Sequence, residues 1–241
     1  MLLKRNEKGV YVESAGSEPV QLTHVIGIGR NYAEHASEMG GEVPERPMYF
    51  TKNPASICLE GDSIVIPPIC RDEATGGPEQ VDFEAELALI IGEPAKDVSE
   101  ADALGVLLGV CCGNDVSARW WQKKGAGGQF CRGKSFDTFC PLGPSVVPAS
   151  EVGDLQELKV ECRISGETMQ SSSTAQMIFS VAYLIAELSR STTLMPGTVI
   201  LTGTPSGVGH GRTPPRYLRD GDVVEVEIEG VGTLRNPVVH G

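Results

Sequence analysis

The chain has 241 residues, room for one large domain with a short appendage at about 150 residues per domain, and a chain this long buries roughly 70–75% of its unfolded surface without disulfides or metals. Its 20 Lys and Arg against 32 Asp and Glu leave a formal charge of −12, a field that repels phosphate backbones and anionic lipid and so excludes nucleic acid and membrane surfaces as natural partners. The 29 glycines and 16 prolines exceed the roughly 12% combined share of an average protein and predict a strand-rich, turn-rich chain rather than a helix bundle.

Residues 1–20 are polar and slightly basic and read as a short flap or hairpin; residues 21–241 read as one domain, with no repeat or linker. HVIGIGRNY (24–32) is a short buried strand leading into a helix with Asn31 as N-cap, Glu34 three residues on and Gly40 as its stop. VDFEAELALIIG (81–92) alternates, then turns wholly apolar, as a strand entering a core does. Ser99 and Asp102 cap a short helix, after which a Gly-interrupted strand ends at Asn114-Asp115. Its apolar run, ALGVLLGVCC (103–112), falls well short of the roughly 18 residues a membrane span needs.

DVSARWWQKK (115–124) is a helix candidate; FDTFCPLGP (136–144) is broken by Pro141 and Pro144; LKVECRIS (158–165) and VVEVEIEG (223–230) are strands. IFSVAYLIAELSR (178–190) is the best amphipathic helix, with Ile178, Val181, Ala182, Ile185 and Leu188 at helical spacing. GTVILTGTPSGVG (197–209) is a buried strand leaving into a Gly/Pro loop. The whole predicts an α+β fold, predominantly β. The seven cysteines are odd in number and lack a CxxC, and the first residues carry no apolar leader. Reduced cysteines in a cytoplasmic protein are the simplest expectation.

GQFCRGKS (128–135) matches the phosphate-cradling pattern G-x-x-x-x-G-K-[ST]. That loop works only between a buried strand and a helix. Here RWWQKKGAGG precedes it and Pro141 follows too soon for a supporting helix, so nucleotide binding is rejected.

Glu84 and Glu86 lie two apart on a strand and share a face, about 6.8 Å from each other at ~3.4 Å per residue. Glu225, Glu227 and Glu229 repeat the spacing on a face that stays acidic and ends at Gly230, as a solvated face does. The face of Glu84 and Glu86 instead continues into Ala88 and Ile90, toward the interior. Like charges entering a core need a cation or a proton. A hard divalent ion answers that need; paired arginine or lysine at a wet strand end is the other reading. Asp115, at the end of a buried strand, is a third acid or an ordinary N-cap.

GRNYAEHASEM (29–39), PMYFTKNPAS (47–56), VDFEAELALIIG (81–92), GNDVSARWWQ (113–122), GKSFDTFCPLGP (133–144) and LTGTPSGVG (201–209) occur in the order found in the fumarylacetoacetate hydrolase family. The chain resembles that family from about residue 20 to 240, most closely its domain-containing branch. The resemblance implies a mixed β-sandwich roll, a homodimer, and Mg²⁺ or Mn²⁺ as cofactor. It implies a small 2-oxo acid substrate handled through a metal-stabilised enolate: C–C hydrolysis of acylpyruvate or fumarylacetoacetate type, or else oxaloacetate decarboxylation or enol–keto tautomerisation. A catalytically weak 2-oxo acid binding protein on the same fold is the non-enzymatic alternative.

By position, the resemblance implies that Glu84, Glu86 and Asp115 are metal carboxylates and that His35 and Glu38 form the pair that activates water in hydrolytic members. Arg119, Gln122, Lys134 and Thr204 fall on groups holding the substrate's carboxylate and oxyanion, Lys134 as a catalytic charge. Taken alone, each has a plainer reading: His35 a surface histidine, Lys134 a solvated lysine, TGTPSG a turn, Arg119 stacked beside Trp120 and Trp121. In one respect the chain departs from the founding hydrolase, whose fourth metal carboxylate would fall where the strand reads Gly27-Ile28-Gly29. Loops 40–48 and 210–217 are the expected pocket walls.

Overall fold

The computed structural model describes residues 1–71 and 77–241. The chain starts with an antiparallel meander of β1 (Leu2–Asn6), β2 (Gly9–Glu13) and β3 (Val20–Gln21). It continues through β4 (His24–Gly29), α1 (Ala33–Glu38), β5 (Met48–Lys52), β6 (Ile57–Leu59) and β7 (Ile64–Ile66). The central stretch holds β8 (Val81–Asp82), β9 (Ala85–Ile91), β10 (Leu107–Asn114), β11 (Ser117–Ala118), α2 (Arg119–Gln122), α3 (Phe130–Lys134) and β12 (Cys140–Val147). Then come α4 (Ala149–Val152), β13 (Lys159–Ile164), β14 (Glu167–Ser173), α5 (Val181–Ser189), β15 (Thr198–Leu201), β16 (Val223–Ile228) and β17 (Gly232–His240).

Seven strands form the main sheet in the order β5-β4-β15-β9-β10-β12-β6. It is mixed: β4 with β15 and β12 with β6 run parallel, and the other pairs are antiparallel. A five-stranded sheet, β14-β13-β16-β17-β7, lies with it. β9 is buried at every residue, which its continuous apolar sequence requires of a strand covered on both faces. Leu87, Leu89 and Ile91 join the larger core, together with Val160, Val226 and Leu184 from the second sheet and α5. Ala88 and Ile90 join the smaller core, which Val10, Val12 and Leu22 of the N-terminal meander cover. α5 is capped by Ser180, whose Oγ accepts the Tyr183 N–H at 3.1 Å.

The predominantly β fold is as expected, and several local expectations are corrected. Asn31 does not cap α1; Tyr32 stands at that position, with no side-chain cap. Asn31 Nδ2 instead donates to Thr202 O and Phe179 O, and its Oδ1 accepts the Phe179 N–H, so the side chain ties three distant segments together. The helix expected over 115–124 shrinks to Arg119–Gln122, because Ser117 and Ala118 pair with β8. Ser99 Oγ bonds Asp102 at 2.7 Å, but the turn after it is a 3₁₀ helix, Ala103–Val106. The GQFCRGKS segment contains α3 itself, so it is no phosphate loop. Glu225 and Glu227 sit partly exposed around Arg163, as a solvated acidic face should.

Candidate active site

The site begins at the break between β8 and β9. Val81–Asp82 pairs with β11 while β9 enters the main sheet, which leaves Phe83 and Glu84 between the two. The Asp115 N–H donates to Glu84 O at 2.9 Å, and the Glu84 N–H donates to Asn114 Oδ1 at 3.0 Å. Two strand ends are thereby pinned together. Glu84, Glu86 and Asp115 each bring a carboxylate oxygen within 4.8 Å of the others, all three buried.

Three cations surround them. Lys134, at the end of α3, lies 2.7 Å from Glu84 Oε2 and 2.5 Å from Asp115 Oδ2 and donates to Ser117 Oγ at 2.7 Å. Arg119 Nη1 is 2.7 Å from Glu84 Oε1, and Nε donates to Asp82 Oδ2 at 2.8 Å. Arg119 Nη2 stands 2.7 Å from that same Asp82 oxygen but off the hydrogen-bond direction, and so has no bonded acceptor. Lys52 Nζ is 2.5 Å from Asp115 Oδ1 and donates to Phe139 O at 2.8 Å. Glu86 differs. Among the described residues no cationic side chain pairs with it, and its Oε2 accepts only the Gly203 N–H, at 2.7 Å.

These surroundings set the ionisation. Burial pushes Glu84 up, but Lys134 and Arg119 outweigh it and hold the carboxyl below its usual range. Burial pushes Glu86 up, and Asp115 and Glu84 push it further. Burial would lower Lys134, yet Asp115 and Glu84 keep it raised and charged. A buried carboxylate with no cation of its own, beside two others, is an all-oxygen donor set that fits a hard divalent ion.

A cavity of ≈ 180 Å³ lies over the cluster, lined by Glu84, Glu86, Arg119 and Lys134 together with His35, Gln122 and Thr204. Its apolar walls are Met39, Met48, Phe50 and Phe130. Of the loops expected as walls, 40–48 contributes Met48 and 210–217 contributes no lining residue among those described. Phe50 owes its place to Gly27: a Cβ there would stand 2.3 Å from Phe50 Cζ. The strand that lacks the fourth carboxylate thus makes room for an aromatic wall.

His35 is buried on α1, with Nδ1 3.3 Å from Glu38 Oε2. Glu38 also accepts the Gly207 N–H, at 3.0 and 3.2 Å from its two oxygens. Thr204 Oγ1 donates to Ala85 O at 2.9 Å and accepts from Gln170 Nε2 at 2.8 Å. Gln122 Oε1 accepts from Arg119 Nη1 at 3.1 Å. The loop leaving β15 is held by site acids in turn: Gly203 N by Glu86, Gly207 N by Glu38, and Gly209 N and His210 N by Asp82.

Every residue singled out in the sequence is brought to this place, although Glu38 and Asp115 stand behind the cavity wall rather than in it. Arg119 does not stack on the tryptophans; that place is taken by Arg132, 5.7 Å from the Trp121 ring and 4.5 Å from Phe136. Sequence reasoning missed Lys52, Asp82 and Gln170. Two of them carried a signal: Asp82 continues the face of Glu84 and Glu86, and Lys52 shares the face of Phe50 in MYFTK.

The family model described as "Fumarylacetoacetate (FAA) hydrolase C-terminal" matches residues 24–239. The chain belongs to the fumarylacetoacetate hydrolase family. It is 44% identical over 215 residues to "Oxaloacetate tautomerase Fahd2a, mitochondrial" of Rattus norvegicus, covering 89% of this chain and 66% of that protein. It is 44% identical over 222 residues to "Oxaloacetate tautomerase YisK" of Bacillus subtilis (strain 168), covering 91% of this chain and 71% of that one. The chain therefore spans about two thirds of the length of such curated relatives. Among solved structures it superposes with a TM-score of 0.82 on fumarylpyruvate hydrolase from Pseudomonas aeruginosa in complex with Mn²⁺ and pyruvate, at 30% identity and with 99% of each chain covered. The members found include proteins named as tautomerases, isomerases and hydrolases, so the family is one of enzymes. No helix among the described residues is long and apolar enough to cross a membrane.

Proposed function

We propose that this protein catalyses enol–keto tautomerisation of a small 2-oxo acid of the oxaloacetate type, with Mg²⁺ or Mn²⁺ held by Glu84, Glu86 and Asp115. The observation that carries the reading is the buried acid triad, two of whose members, Glu84 and Glu86, line one cavity with Lys134 and His35. Its relatives named as oxaloacetate tautomerases support tautomerisation over the hydrolysis that the sequence first suggests.

A divalent ion there would withdraw electrons from the 2-oxo group and its neighbouring carboxylate. Lys134, charged and fixed between Glu84 and Asp115, presents positive charge to the oxygen on which the enolate develops. His35 is held through Nδ1 by Glu38, which leaves Nε2 to take and return the proton at C3. Arg119 Nη2, a buried donor without an acceptor, together with the amide Nε2 of Gln122, orients the substrate's carboxylate, and Thr204, its hydroxyl spent on Ala85 O, shapes the wall beside them. These local cations let an anion approach a protein of net charge −12.

The same His35–Glu38 pair could activate a water, and that geometry favours C–C hydrolysis as the second reading. The test is to follow the enol absorbance of oxaloacetate with Mg²⁺ or Mn²⁺, alongside CO₂ release and cleavage of acetylpyruvate. Accelerated enol decay without C–C cleavage supports tautomerisation. Cleavage of acetylpyruvate with enol decay at the buffer rate would replace it by hydrolysis, and tight binding without turnover would leave a 2-oxo acid binding protein. A cytoplasmic homodimer, with residues 21–241 as its catalytic unit and 1–20 as a flap, belongs to the same proposal.

A further inference from the structure

Two cations of the cavity remain without a task. Arg119 and Lys134 are committed to Asp82, Glu84 and Asp115. Arg30 and Lys123 also line the cavity, and among the described residues neither forms an ion pair with a carboxylate. Arg30 holds a φ of 57° at the turn from β4 to α1, a conformation few non-glycine residues adopt and one that concentrates at functional sites. Its guanidinium rests on Gly41, where a Cβ would stand 2.7 Å from both Cζ and Nη1. Lys123 Nζ lies 3.1 Å from His210 Nε2, and His210 Nδ1 lies 2.7 Å from Tyr217 Oη. Burial, with Lys123 and Arg119 nearby, pushes His210 down. A neutral ring therefore accepts from Lys123 and donates to Tyr217. Burial, then Arg119 and Arg30, lower Lys123 as well: like charges crowd one mouth of the cavity.

We propose that Arg30 and Lys123 receive a second carboxylate, at the end of the substrate away from Glu84, Glu86 and Asp115, and so select dicarboxylic over monocarboxylic 2-oxo acids. This rests on the placement of the 2-oxo end at the acid triad given above. Met39, Met48, Phe50 and Phe130 offer only apolar contact, so the two charged ends set the length and polarity of the ligand. Arginine gives a planar fork for carboxylate and lysine a point charge.

The experiment compares malate with lactate by calorimetry on the Mg²⁺-loaded full chain. Both present a 2-hydroxy acid, only malate has the second carboxylate, and neither undergoes tautomerisation. Malate is expected to bind about ten- to a hundredfold more tightly than lactate, as charge-assisted hydrogen bonds imply. Arg30→Gln and Lys123→Gln should each remove about tenfold of malate affinity while changing lactate by no more than about twofold. Gly41→Ala, which displaces the guanidinium, should act in the same direction. Equal affinity of the wild type for the two ligands overturns the proposal, as does undetectable malate binding or an equal loss of both ligands in Arg30→Gln with an unchanged melting temperature. Malate selectivity without accelerated enol decay would defeat the tautomerase reading alone, and enol decay without selectivity would defeat this one alone.

Discussion

Lys52 Nζ stands 2.5 Å from Asp115 Oδ1, and both side chains are shut away from solvent. The lysine emerges from an edge strand of the main sheet, β5, and reaches the acid at the end of β10. Removing one partner of a buried pair leaves an uncompensated charge, at a cost of about 3–5 kcal/mol. Because Lys134 still faces Asp115 Oδ2, Lys52→Met should lower the unfolding free energy by no more than that amount, read as a lower urea midpoint, and weaken Mg²⁺ binding, since Asp115 loses one of the cations that hold it. A variant with wild-type midpoint and wild-type Mg²⁺ affinity would show that the pair holds neither the fold nor the triad.

Glu84→Ala and Asp115→Ala should abolish enol-decay activity and, in the same variants, the rise in melting temperature on adding Mg²⁺. The coupling of the two losses is the point, since one ion accounts for both. Recovery of activity by Mg²⁺ after EDTA treatment in either variant contradicts the triad as the ion's seat.

Glu86 titrates upward in the fold, through burial and then Asp115 and Glu84. Between the ordinary carboxylate range and that raised value, the folded chain keeps a proton the unfolded chain has lost. The metal-free protein should therefore lose stability as pH rises through this window and keep its full stability below it. Glu86→Gln should flatten that slope and stabilise the metal-free protein at neutral pH. Mg²⁺ needs the ionised carboxylate, so wild-type affinity should climb across the same window. Urea titrations in EDTA from about pH 5 to 8, a span set by ordinary and shifted carboxylates, read the slope directly; a rising slope contradicts the assignment.

His35→Ala removes the proposed proton carrier and should lower kcat by about 10²- to 10⁴-fold. Glu38→Gln keeps an acceptor for Gly207 N but loses the charge beside the imidazole, so its loss should be smaller and fall on kcat rather than KM. Decarboxylation, which needs no activated water, should suffer less than hydrolysis in His35→Ala. Equal falls in the two would mean that the histidine does not divide them.

Much of this was legible in the residues. The alternation of VDFEAELALIIG placed Glu84 and Glu86 on a face running into Ala88 and Ile90, and those two pack in the smaller core. What the sequence concealed depended on distance along the chain. Asn31 has the signature of an N-cap, yet its partners Phe179 and Thr202 lie 148 and 171 residues away. ARWWQ has helical propensity from Ala118 onward, but pairing with β8 claims Ala118 first, and tertiary pairing overrides a weak local preference. Lys52 ends its strand, where a lysine usually reaches water; only the fold reveals Asp115 facing it.

The loop after β15 is moored to Glu86, Glu38 and Asp82 through the amides of Gly203, Gly207, Gly209 and His210. Glu86 is a proposed ligand of the ion, and Glu38 and Asp82 hold His35 and Arg119, two side chains that line the cavity. The amide protons at these four positions are thus a built-in gauge of occupancy: their deuterium uptake should change with divalent ion and keto acid, while uptake in β9 stays fixed.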